Sequence, residues 1–259
     1  MSPTPRLVTI PFSHFCEKAR WALDYAGVRY DEEGHAPAAH IFAVKRAGGA
    51  RTVPCLVTSS GILGDSRDIV RFADAQAPDD RKLLPASEAE RREVDALEAE
   101  FDHDLGPHLR RLLYFHVLAR KSVALDLFAR STPPREVAIL RALFPVVRLL
   151  MRRSMNIDAR SAARSYDVVR RVFDSVGARL ADGRPYLVGD RFTSADLTFA
   201  ALASPGLRPA EHPVPLPDPA PGPDPVREIR DLLRGSPGGK FALTMYRQHR
   251  AAPVARGVG

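Results

Sequence analysis

Two side chains suited to nucleophilic or thiol-activating chemistry, Ser13 and Cys16, stand three residues apart in the run Phe12-Ser13-His14-Phe15-Cys16-Glu17-Lys18-Ala19-Arg20-Trp21. Upstream, Arg6-Leu7-Val8-Thr9-Ile10 has the β-branched character of a strand and stops at Pro11. Downstream, Ala19, Ala22, Leu23 and Ala26 recur at helical spacing, and Gly27 ends the run. A strand therefore feeds directly into an amphipathic helix. Both side chains fall at or beside its N-terminus, where unpaired backbone N–H groups and the macrodipole favour negative charge. A serine there does not ionise near neutral pH but donates a hydrogen bond that stabilises a neighbouring anion, whereas a cysteine attacks as the thiolate itself.

The elements that must position this junction are legible in the next seventy residues. Val28 to Glu33 reads as a second strand and Pro37 to Arg46 as a short helix, and Gly48-Gly49 breaks the chain. Thr52-Val53-Pro54-Cys55-Leu56-Val57-Thr58 is β-rich, Ser59-Ser60-Gly61 is a turn, and Ile62-Leu63 completes a hairpin. Asp65-Ser66-Arg67-Asp68 has capping character and opens a helix carrying Ile69, Val70, Phe72 and Ala73. The order is βαβαββα. Pro78 to Pro85 is polar and marks a boundary between a first domain over residues 1–80 and a second over residues 87–250, with residues 251–259 as a flexible tail.

Beyond the boundary strands vanish. A helical pattern runs from Ser87 to about Lys121, divided or kinked by Gly106-Pro107. Thr132-Pro133 starts a helix over residues 136–155, Tyr166 to Leu180 is another, and a last helix over residues 225–234 and a segment over residues 241–249 finish the domain. Between Ser204 and Val226 prolines occur at alternate positions for most of the run, which favours an extended loop.

Composition narrows the class. The chain has 259 residues, 45% hydrophobic and 27% charged, ordinary for a globular protein with room for two cores. No apolar run approaches the roughly 20 residues of a membrane-spanning helix, and the N-terminus lacks a basic segment followed by an apolar one. A cytoplasmic location is expected. Two cysteines, Cys16 and Cys55, exclude a disulfide framework and a cysteine-rich zinc site. The net charge of +7 arises from 38 basic residues interspersed with 31 acidic ones, without a basic arm or aromatic-basic signature. Nucleic acid is not an expected partner, and a small anionic substrate fits as well.

The hydroxyl or thiol at the first strand-to-helix junction, Val53-Pro54 before the third strand and Asp65-Ser66 opening the third helix, followed by an all-helical half, together resemble the cytosolic glutathione transferase superfamily. The resemblance spans roughly residues 6 to 200. It implies an α/β thioredoxin-like N-terminal domain and an all-α C-terminal domain. It also implies glutathione as co-substrate with no metal, and a homodimer acting in detoxification. Ser13 takes the position of the family's catalytic Ser or Cys, and His14 stands where proline is usual. Cys16 occupies the last position of the Ser/Cys-x-x-Cys-like turn. Val53-Pro54 matches the pair in which the proline is cis and the valine backbone meets the cysteinyl part of glutathione, and Asp65-Ser66 matches the pair at the γ-glutamyl end. Phe15 joins the glutathione set, with Lys45 and Arg51 as candidates for the glycine carboxylate. Tyr114 and Phe115 lie on the helix that borders the family's electrophile pocket.

The chemistry of the tripeptide agrees with these roles. Its two carboxylates and one amine require N–H and hydroxyl donors, which Ser66 offers at a helix N-terminus, and a carboxylate, which Asp65 offers. The implied activity is conjugation of glutathione to an apolar electrophile, or reduction of a peroxide, with Ser13 stabilising the thiolate. A glutathione-dependent thiol-disulfide reductase using Cys16, and a non-catalytic binding or assembly module, are the alternatives. Burial as a small hydrophobe also explains Cys16, and it explains Cys55 better than chemistry does. Thr193 and Asp196 read as a capping box. His103 between Asp102 and Asp104 reads as a solvated helix face, since helical neighbours point apart. The basic, apolar stretch over residues 136–155 fits a surface helix with its apolar face in the core better than a membrane-surface helix.

Overall fold

A computed structural model describes residues 3–214, 224–250 and 257–258. Its first part runs β1 (Arg6–Thr9), α1 (His14–Tyr25), β2 (Asp31–Gly34), α2 (Ala39–Arg46), β3 (Cys55–Thr58), β4 (Gly61–Leu63) and α3 (Ser66–Gln76), the βαβαββα order of a thioredoxin-like domain. β1 is central because Leu7, Val8 and Thr9 are all buried. It pairs in parallel with β2, which the α1 crossover permits, and antiparallel with β3, in the register Leu7 to Leu56 and Val8 to Cys55. β4 closes the hairpin on β3. At the far edge β5 (Gly257–Val258), from the end of the chain, adds in parallel to β2. The rest of the expected tail, residues 251–256 and 259, lies outside the described residues.

The second part is helical: α4 (Glu88–Glu100), α5 (Gly106–Val117), α6 (Lys121–Ala129), α7 (Pro134–Ser154), α8 (Ala159–Arg179), α9 (Ser194–Leu207), α10 (Pro225–Gly235) and α11 (Pro237–His249). The break expected at Gly106-Pro107 takes the form of a π-helical turn at Phe101–Leu105. Gly106 is needed there because a Cβ would lie 2.5 Å from the Phe15 ring of α1. α8 begins seven residues before the expected Tyr166, because Asp158 and Ser161 form a reciprocal capping box at 2.8 and 3.1 Å. α9 is the buried axis of this half. Its capping box sets Asp196 against Thr193, and the same carboxylate accepts the Leu187 N–H at 2.8 Å. Residues 215–223 of the proline-rich stretch lie outside the described residues.

Packing adds two features that the local pattern leaves open. The polar face of α1 does not meet solvent: Glu17, Lys18, Arg20 and Asp24 are all buried. Each has an ionic partner, Lys18 on Asp102 at 2.9 Å, Arg20 on Glu32 at 2.7 Å, and Arg250 on Glu17 and Asp24 at 2.7 and 3.0 Å. Trp21 packs on Tyr246 at 4.4 Å between centroids and donates its indole N–H to His249 O, so the end of α11 is anchored on α1. The helix over residues 136–155 buries Leu140, Phe144, Val147 and Met151, as a core-facing surface helix should. It also exposes Ile139, Leu143, Val146, Leu149 and Leu150 on its other side.

Candidate active site

The turn between β1 and α1 delivers Ser13 as the N-cap of α1. Its extended backbone sends the N–H to Ile10 O and its carbonyl to the Glu17 N–H, each at 2.9 Å. The hydroxyl makes no capping hydrogen bond, so it is not consumed in holding the helix. Ser13 and His14 line a cavity of about 710 Å³ between the sheet part and the helices. On the sheet side the walls are Ile10, Phe12, Pro37, Ala38, His40, Ile41 and Arg51-Thr52-Val53. On the helical side they are Arg110, Leu113, Tyr114 and Val117 of α5, Val123 and Leu127 of α6, the last turns of α7, and Pro205, Arg208 and Val226. Apolar side chains dominate the surface, and no carboxylate lines it among the described residues.

The structure separates the two junction nucleophiles. Cys16, one turn further into α1, is completely buried. Burial pushes its thiol up to about 11 despite the nearby Arg20 guanidinium and contacts with the Ile10 backbone and the Ser13 hydroxyl. Cys16 is absent from the cavity wall. Cys55 is buried under β3 in a small cluster with Val8, Ala43 and Val44.

The other candidates fall in three places. Val53, joined to Pro54 by a cis peptide bond, and Arg51 line the cavity, whereas Lys45 is exposed on α2 and does not. Asp65 is the exposed N-cap of α3, accepting the Arg67 N–H at 2.7 Å, and Ser66 is buried behind it; both lie outside the cavity wall. Arg67 approaches Asp102 at 3.5 Å, the carboxylate already bound by Lys18, so the α3 N-terminus sits beside a charged cluster. Asp102 is therefore not part of a solvated face with His103, which instead pairs with Asp104 in the open. Phe15 packs its ring on Gly106 and on His14 at 4.8 Å, away from the cavity. Of the two aromatic candidates, Tyr114 lines the cavity with a phenol that burial pushes up to about 12. Phe115 does not line it; both aromatics border a second, smaller cavity of about 380 Å³.

Among the cavity residues not read from the sequence as site residues are His14, His40 and Arg110. The imidazoles of His14 and His40 each bury one nitrogen without a hydrogen-bond partner, Nε2 and Nδ1 respectively. Burial, with Arg110 nearby, holds His14 down at about 3, so it is neutral at physiological pH. Arg110 had a usable signal, since it precedes Tyr114 by four residues and shares its face of α5. Among the described residues no group of His, Cys, Asp and Glu could hold a metal ion, and no helix is long and apolar enough to cross a membrane.

A mixed sheet of thioredoxin type with a helical part packed against it, and a hydroxyl at the first strand-to-helix turn facing a cavity between them, define a glutathione transferase fold. The family models agree. Glutathione S-transferase, N-terminal domain, matches residues 7–81 and Glutathione S-transferase, C-terminal domain, matches residues 140–214, together more than half of the chain. The chain belongs to the glutathione transferase superfamily. Among solved structures it is similar to a glutathione S-transferase from Xanthobacter autotrophicus Py2, with 17% identity, a TM-score of 0.60 and coverage of 95% of this chain and 93% of that one. Glutathione transferase GSTFuA3 from Phanerochaete chrysosporium gives 19% identity and a TM-score of 0.62 over 98% and 100% of the two chains. The theta class enzyme from Xanthomonas axonopodis pv. citri, solved with glutathione bound, gives 21% and 0.54 over 98% and 100%. At these identities the likeness is one of fold. No curated protein matches the chain.

Proposed function

We propose that this protein binds glutathione along the edge formed by Ser13, Arg51, Val53, Asp65 and Ser66, and joins it through its sulfur to an apolar electrophile held by the helices. The observation that carries this reading is the Ser13 hydroxyl, free of capping duty at the N-terminus of α1 and open to a largely apolar cavity. The hydroxyl donates to the glutathione sulfur and favours the thiolate, and the positive end of α1 adds to the same effect. The thiolate attacks an electrophilic carbon, a C–S bond forms, and the leaving group departs with the electron pair of the bond that breaks. Peroxide reduction is a side activity open to the same thiolate. The burial of Cys16 weighs against a thiol-disulfide reductase, because exchange requires an accessible thiolate.

Asp65 at the cap of α3 suits the glutathione amine and the Ser66 turn suits its γ-glutamyl carboxylate, while Arg51 suits the glycine carboxylate. We read the assembly as a homodimer acting in the cytoplasm, as the family's architecture suggests. Calorimetry tests the core of the proposal. Asp65→Ala and Ser66→Ala should each weaken glutathione binding by about 1–3 kcal/mol. No heat from the unmodified protein at millimolar glutathione refutes it.

A further inference from the structure

The cavity holds a cation that the handling of glutathione leaves without a task. Arg110 is half-buried on α5 and lines the cavity, yet no carboxylate accepts from it among the described residues. Its guanidinium lies near the Tyr114 phenol and the neutral His14, and burial lowers its affinity for its proton. The surrounding walls are Leu113, Val117, Val123, Leu127 and Val147. A charge desolvated in apolar surroundings without a counter-charge is costly, typically by several kcal/mol, and an incoming anion removes that cost. The other two cavity arginines differ. Arg51 is exposed and is assigned to glutathione, and Arg208 has a partner of its own.

Arg110 and Tyr114 stand one helical turn apart on the same face of α5. The guanidinium presents fork-like N–H donors, and the phenol, held protonated by burial, presents an O–H donor. Both suit a carboxylate. Because the two carboxylates of glutathione have candidate sites at the Ser66 turn and Arg51, the Arg110 pair is left for the second substrate. The geometry points to an amphipathic second substrate, an apolar chain or ring bearing a carboxylate that pairs with Arg110 and Tyr114 while the apolar part lies between α5, α6 and α7. This rests on the proposed function for the name "second substrate", though not for the anion site itself.

The test uses the full chain and two non-reacting probes of equal length, octanoate and octanamide, titrated by calorimetry with and without saturating glutathione. Octanoate should bind at least about tenfold more tightly than octanamide, the advantage of a charge-assisted bidentate pair. Arg110→Gln should abolish that preference and leave octanamide binding within about twofold, with an unfolding midpoint at or above that of the parent, since an unpaired buried charge has been removed. Arg110→Lys, which retains the charge, should keep part of the preference and stands in if the Gln variant does not fold. Equal binding of the two probes by the parent protein overturns the inference, as does an undiminished octanoate preference in Arg110→Gln. Glutathione titrations run alongside separate the two claims: absence of glutathione binding with a retained octanoate preference removes the transferase reading and leaves the anion site standing.

Discussion

Replacing Ser13 by alanine separates thiol activation from the capping role of the β1–α1 turn. The hydroxyl makes no capping hydrogen bond, and the backbone bonds of Ser13 to Ile10 and Glu17 survive the change. Only the contact of the hydroxyl with the Cys16 thiol is lost, so stability should move by no more than about 1 kcal/mol. Loss of a preorganised donor to the sulfur should cost about 2–4 kcal/mol of transition-state stabilisation, or roughly 30- to 1,000-fold in kcat for conjugation of 1-chloro-2,4-dinitrobenzene. Glutathione affinity should be largely retained, because the proposed sites for the carboxylates and the amine lie elsewhere. Cys16→Ser should leave turnover nearly unchanged. With its thiol pushed up from 9.0 to about 11, Cys16 has a thiolate about 100-fold scarcer at neutral pH than that of an unperturbed cysteine, so iodoacetamide labelling should be slower by about that factor before burial adds its own barrier. Turnover of Ser13→Ala within threefold of the parent, or fast alkylation of Cys16 near pH 6, refutes the assignment of the chemistry to Ser13.

Arg250→Met removes a buried ionic partner from both Glu17 and Asp24, leaving Glu17 to Arg20, and should destabilise the protein by about 3–5 kcal/mol in urea titrations. In the parent, burial opposes ionisation of Glu17, but Arg250, His212 and Arg20 outweigh it and hold the carboxyl down at about 2. A depressed carboxyl contributes stability that is complete above its unfolded value near 4.5 and is lost as pH falls toward about 2; urea midpoints from pH 6 to pH 2.5 should show this loss in the parent and a weaker one in Arg250→Met. Asp196→Ala strands the Leu187 and Thr193 N–H groups and the Thr193 hydroxyl, and should cost about 3 kcal/mol or more, read from thermal unfolding. Sedimentation at micromolar concentration should give the mass of two chains; a single-chain mass rejects the homodimer.

The order of elements was legible because it is written in local signals: β-branched runs, Gly27 and Gly48 at φ of +72° and +89°, and capping residues at Asp65 and Thr193. What escaped was set by packing between distant segments. The charges of α1 look like a solvated stripe until Asp102, Glu32 and Arg250 arrive from elsewhere in the chain to pair with them. Tyr114 and Phe115 are adjacent in sequence, yet Tyr114 alone of the two reaches the large cavity, while both border the smaller one. Arg110 escaped because an arginine in an amphipathic helix reads as solvent-facing.

The choice between Ser13 and Cys16 shows the same division at the level of energies. Both stand at the positive end of α1, and from sequence the macrodipole favours a thiolate at Cys16, an effect of about 0.3–1 kcal/mol. Desolvation acts in the opposite direction and is larger. Raising the thiol to about 11 disfavours the thiolate by about 3 kcal/mol. The term that wins depends on the helices and sheet that cover Cys16, which no local pattern at residues 13–16 encodes. The same covering leaves Ser13, one turn earlier, facing the cavity. A serine donor needs no ionisation to act there, so the role proposed for Ser13 tolerates the low-polarity surroundings that disfavour a Cys16 thiolate.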